Sequence, residues 1–117
     1  MPFQCSVDGD IFVIRATGVV KMEDVDLFGA EQERYLTTPG CKGLCITDTS
    51  ELKVIAPDAA DALTLRMKAT ADRIVRSAVV VGEGTGALQV SRLIRDAGSD
   101  KRRTFTSVEH ALAWLKS

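Results

Sequence analysis

Histidine is almost missing from this sequence: His110 is the only one among 117 residues. Acid/base chemistry near neutral pH and imidazole-based metal binding therefore have a single side chain to draw on. Cysteines number three, an odd count that argues against a disulfide scaffold. Cys41 and Cys45 stand four apart, neither CxxC redox spacing nor half a zinc site, so the thiols read as small apolar groups in or near the core. No charge of one sign dominates, since 15 Lys and Arg against 16 Asp and Glu leave a net charge of −1. Without a bulk field, neither nucleic acid nor an anionic membrane is an expected partner. Long apolar runs are missing too. Runs such as residues 11–14 and 78–81 fall far short of a bilayer span. The first six residues, MPFQCS, lack the charged and apolar regions of a signal peptide. A cytoplasmic protein without stable membrane insertion is the default expectation, with residues 1–117 forming one domain.

What is present is a regular alternation of strand and helix patterns. Phe3, Cys5 and Val7 alternate with Gln4 and Ser6, the period of a half-buried strand. Asp8, Gly9 and Asp10 supply a tight reversal. Residues 11–14 then form a second strand, antiparallel to the first and buried on both faces. Over residues 22–35, Met22, Val25, Phe28, Tyr35 and Leu36 fall near helical spacing, with Glu23, Asp24 and Asp26 in the first turn, where negative charge suits the helix dipole. Thr37, Thr38, Pro39 and Gly40 end that helix. A third strand over residues 44–47 runs parallel to the second because a helix separates them.

Pro57 opens the next helix, at the position where its missing N–H costs nothing. Ala60, Leu63, Met67, Ala71 and Ile74 form its core stripe, and Asp61, Arg66, Lys68, Asp72 and Arg73 lie largely on the outer face. Residues 78–81 make a fourth buried strand. It enters Gly82-Glu83-Gly84-Thr85-Gly86 and a helix with Val90, Leu93, Ile94 and Ala97 inward, closed by Gly98. Residues 101–105 read as a short edge strand marked by charge. Thr106 and Glu109 form a capping box. The last helix then sets Val108, Ala111, Leu112 and Leu115 on one side, with Trp114 as a lid on the core. The order is ββαβαβαβα: a single small α/β domain with a mixed, mostly parallel sheet and helices packed on it.

Ligands on open α/β sheets gather beyond the C-terminal ends of the parallel strands. That edge collects Asp48, Thr49 and Ser50, a short connecting loop, Pro57 and Asp58 at the next helix start, and Gly82, Glu83 and Gly84. These residues form the candidate corner for a partner or ligand. The glycine loop sits where phosphate-cradling loops sit, but GEGTG lacks GxGxxG spacing and the P-loop lysine, and Glu83 repels phosphate. It reads as a structural turn. Asp48, Asp58 and Glu83 would suit paired-carboxylate catalysis or cation binding, yet no histidine or lysine accompanies them and each serves equally as a helix cap. Ser50 has neither a base partner nor a nucleophile elbow. No catalytic, cofactor or metal residue is assigned. Arg92, Arg95, Lys101, Arg102 and Arg103 are the only basic concentration, and they read as a solvated face.

Two stretches carry a resemblance. Leu44-Cys45-Ile46-Thr47-Asp48-Thr49-Ser50 is like an apolar strand ending in Asp-x-Ser. Arg103-Thr104-Phe105 followed by Ala111-Leu112-Ala113-Trp114-Leu115 is like a closing strand and an Ala-Leu-x-Trp-Leu helix. With the element order, they resemble a STAS domain (sulphate transporter and anti-sigma-factor antagonist) of the SpoIIAA-like branch, which is related to Sec14-type lipid-binding folds. The resemblance runs over nearly the whole chain. It implies a singly wound β-α superhelix without a cofactor, and a non-enzymatic regulatory role exercised by docking on another protein.

In the anti-sigma antagonists of this family, a serine or threonine at the start of the helix after this strand is phosphorylated by a partner kinase, and the added charge breaks docking. Where the family has Asp-Ser-Ser-Gly, this chain has Ala56-Pro57-Asp58-Ala59, with no hydroxyl. Asp58 thus places a permanent negative charge where the switch makes one transiently. The Sec14 kinship implies an alternative, a small apolar or lipid-like ligand held between the helices and the strand ends. An exposed sheet edge or helix face leaves room for a homodimer.

Overall fold

The structure, a computed structural model, describes residues 3–117. Along the chain run β1 (Phe3–Asp8), β2 (Ile11–Val20), α1 (Met22–Leu36), β3 (Leu44–Ile55), α2 (Pro57–Thr70), β4 (Arg76–Val81), α3 (Thr85–Ala97), β5 (Arg102–Phe105) and α4 (Val108–Leu115). β1 and β2 form the expected antiparallel hairpin. From β2 to β5 the strands are parallel, and their spatial order is β1-β2-β3-β4-β5.

Each crossover steps to the next strand in the same direction, so right-handed connections set α1, α2 and α3 on one face of the sheet. Phe12, Ile14 and Ala16 pack there with Val25 and Phe28 of α1, Ala59 of α2 and Val90 of α3. On the opposite face, Ile11, Ile46, Ala78 and Val80 are covered by Ala111 and Leu115 of α4. Trp114 caps this second core as expected, its ring 5.6 Å from that of Phe105. Among the described residues no helix is long and apolar enough to cross a membrane.

The largest departure from the sequence reading is β3. Acids and hydroxyls at residues 48–51 suggest a strand end and a loop, but the strand continues to Ile55. Thr49, Leu52 and Ile55 turn into the core while Ser50, Glu51 and Lys53 stay in water. Irregularities in the pairing with β2, between Arg15 and Thr17 and between Gly18 and Val19, reset which residues face inward. Gly18 carries the second of these with φ 66°, a conformation that a Cβ would strain.

Beyond Thr49, β4 no longer pairs with β3, and the start of α3 closes the exposed edge instead. A Cβ at Gly82 would lie 2.5 Å from the Ser50 carbonyl oxygen, and one at Gly86 would lie 2.6 Å from that of Leu52. Further on, Gln89 Oε1 accepts the Ile55 N–H at 2.7 Å and its Nε2 donates to the Ile55 carbonyl at 2.8 Å. An amide side chain thus stands in for the missing strand, and backbone groups that local pattern leaves unpaired are satisfied.

Four smaller corrections have equally local causes. α2 stops at Thr70, so Ile74 is buried in the turn that follows the helix rather than on its stripe. Arg66, expected outside, folds over α1: Nε donates to Gln32 Oε1 at 2.8 Å and Nη2 to the Gly29 carbonyl at 2.9 Å. Gly29 has no side chain in its way, and the guanidinium lies 5.6 Å from the Phe28 ring centroid. Met22 and Val108, expected inward, are exposed, because each stands at the open first position of its helix. The cap of α4 is Ser107 rather than Thr106, its Oγ accepting the His110 N–H at 3.3 Å.

Candidate functional site

The hydroxyls and acids of the candidate corner are divided between the two sides of β3. Thr49 is buried, and its Oγ1 donates to the Val80 carbonyl at 2.7 Å. Asp48 and Ser50 lie on the other side. There Asp48 Oδ1 accepts from the Ser50 backbone N–H at 3.0 Å and from the Ser50 hydroxyl at 2.6 Å. Beside them Arg15 Nη2 pairs with Glu51 Oε2 at 2.6 Å, both side chains being half exposed or more. A phosphate on Ser50 would displace the Asp48 bond and meet the Asp48 and Glu51 carboxylates, a repulsive setting.

Of the glycine loop, Gly82 approaches this segment and packs on the Ser50 backbone. Each glycine of the loop has a structural cause: close approach to β3 at Gly82 and Gly86, and φ 90° at Gly84, the N-cap of α3. Glu83 is exposed, and no side chain caps α3. The extension of β3 carries Pro57 and Asp58 seven and eight residues away from Ser50, roughly 20 Å of extended chain. Asp58 is exposed in the first turn of α2, with Oδ1 accepting the Ala59 N–H at 2.9 Å. Among the described residues, no three His, Cys, Asp or Glu stand together so as to hold a metal ion.

The basic concentration disperses in the same way. Arg103 lies over the Trp114 ring at 5.6 Å, Lys101 Nζ donates to the Ala71 carbonyl at 3.0 Å, and Arg102 points into the molecule. Arg102 belongs to a feature the sequence reading missed, a cavity of about 100 Å³ between the sheet and α1–α3. Its walls are mostly apolar, with Val79, Val90 and Ile94 among them, and Gln32, Ser77 and both Arg66 and Arg102 add polar groups. Burial pushes the Cys45 thiol on this wall up to about 12, with a smaller push from Cys41, and it lowers the pKa of Arg102. A faint signal was available: β5 alternates, and with Phe105 under Trp114 on the α4 side, Arg102 falls on the α1–α3 side.

No protein-family model matches the sequence, and no curated protein sequence matches it. Solved structures do. A DUF3478-family protein with a SpoIIAA-like fold from Shewanella loihica PV-4 superposes with a TM-score of 0.73 at 18% identity, covering 97% of this chain and 91% of that one. The anti-sigma factor antagonist SpoIIAA in its unphosphorylated form gives 0.71 at 16% identity over 98% of each chain. A sulfate transporter family protein from Wolinella succinogenes gives 0.62 at 16% identity, covering 95% of this chain and 88% of that one. These superpositions show the fold: the chain has a SpoIIAA-like fold.

Proposed function

We propose that this chain is a non-enzymatic regulatory domain that docks on another protein, with Pro57 and Asp58 at the start of α2 as the contact and Gly82, Glu83 and Gly84 as its flank, while buried Thr49 and the Asp48–Ser50 pair on the other side of β3 stay outside it. The observation that carries the reading is Asp58, an exposed carboxylate in the first turn of α2. It is the position at which the family resemblance implies a phosphorylatable hydroxyl, on a fold shared with an anti-sigma factor antagonist. The nearby hydroxyls are engaged elsewhere, Thr49 with Val80 and Ser50 with Asp48. The docking face therefore carries a fixed charge in place of a switched one.

The test is affinity capture from a lysate of the source organism with quantitative mass spectrometry, comparing wild type, Asp58→Lys and the exposed control Asp96→Lys. The reading expects a partner that Asp58→Lys loses at least tenfold and the control retains. A partner retained equally by both variants contradicts it. The cavity favours a second reading, a small-molecule binder, but moves the ligand from the strand ends to the space under the three helices.

A further inference from the structure

The cavity holds a charge that the chain leaves unanswered. Arg102 Nη1 is fully enclosed and has no hydrogen-bond partner, alone among the buried side-chain nitrogen and oxygen atoms of the described residues. A guanidinium offers five N–H donors in a fixed fork, and an enclosed donor left without an acceptor costs free energy. The other arginine on the cavity wall is satisfied. Arg66 bonds Gln32 and Gly29 and lies 3.5 Å from Glu33. No carboxylate lines the cavity. Cys45 is the nearest candidate counter-ion, yet its thiol, held up to about 12 by burial, stays neutral at physiological pH. Ser77, directly across from Arg102 in the β4–β5 register, adds a hydroxyl to the same wall.

We propose that the cavity binds a small carboxylate with a short apolar body, its anionic group paired with Arg102 and its body against Val79, Val90 and Ile94. The proposal rests on the small-molecule reading above and adds to it the charge and the size of the ligand. Size follows from the volume: about 100 Å³ lies below the roughly 150 Å³ that accommodates benzene. The body is therefore limited to about four carbons, which excludes a long acyl chain. Charge follows from the geometry, because a carboxylate accepts the paired N–H donors of a guanidinium side by side. Two or three waters would fill the same space without answering the charge, and the experiment separates them.

The whole chain is titrated with butyrate, with the isosteric neutral butyramide and with hexanoate at constant ionic strength, followed by calorimetry and thermal unfolding. Butyrate is expected to bind saturably and raise the melting temperature, at least tenfold more tightly than butyramide and more tightly than hexanoate. Arg102→Met, which removes the orphaned Nη1 donor and keeps an unbranched side chain in its place, is expected to abolish the preference for butyrate over butyramide. Equal binding of butyrate and butyramide to the wild type overturns the proposal and leaves the small-molecule reading standing. Saturable binding of neither overturns both, and the cavity then holds water alone.

Discussion

Gly86→Ala is the perturbation that most sharply tests how the candidate corner is built. Gly86 is the second residue of α3, and alanine is favoured over glycine within a helix by about 1 kcal/mol. Propensity alone therefore makes this substitution stabilising. The structure reverses the sign, because the new Cβ would stand 2.6 Å from the Leu52 carbonyl oxygen and 3.1 Å from that of Lys53. These are backbone atoms of β3 that cannot rotate aside. Overpacking costs about 1–3 kcal/mol, and contact with backbone falls at the upper end, so the net loss is about 2 kcal/mol. For a chain of this size that lowers the melting temperature by about 8 °C. Gly82→Ala meets the Ser50 carbonyl at 2.5 Å without a helical gain to offset it, and loses about 3 kcal/mol. Leu88→Ala on the same helix, 70% exposed, serves as the control and changes stability by less than about 0.5 kcal/mol. Urea unfolding followed by circular dichroism reads all three. A Gly86→Ala protein as stable as the wild type would refute the docking of α3 on β3, and with it the shape of the corner.

Gln89→Leu leaves both backbone groups of Ile55 without their partner and costs about 2–3 kcal/mol; urea midpoints measure the loss, and faster amide exchange at Ile55 localises it. The Cys45 thiol is raised by burial from 9.0 to about 12, so it ionises first in the unfolded chain. Its contribution is whole below about pH 9 and is lost as pH rises toward 12. Stability between pH 9 and 11 is thus expected to fall by about 1.4 kcal/mol per pH unit from this group. Cys5, raised to about 11 by burial and the charge of Glu31, acts in the same direction. Cys45→Ala is expected to be less stable at pH 8 and to show a shallower slope; an unchanged slope contradicts the assignment.

The element order was legible because its signals are local. Residues 11–14 and 78–81 are apolar enough to be central strands, and Val90, Leu93, Ile94 and Gly98 mark one face and the end of α3. β3 was misjudged for a nonlocal reason. Its outer half alternates polar residues with buried Leu52 and Ile55, and the partner of its last residue is the side chain of Gln89, 34 positions later. Of the corner, the exposed placement of Asp58 at a helix start could be read from Pro57, whereas its separation from Ser50 could not. Arg66 and Arg102 read as solvated charge in the sequence because their inward course depends on Gly29 and on the side of β5 that Phe105 occupies. Charge counts carry neither fact.

The proposed docking surface is the start of α2 together with the glycine loop of residues 82–86. Hydrogen exchange of the full chain, alone and with the captured partner, measures this most directly. The account predicts slower exchange over residues 57–62 and 82–86 in the complex, with β1 and α4 unchanged. Protection confined to β1 or α4, with residues 57–62 exchanging as in the free protein, would contradict it.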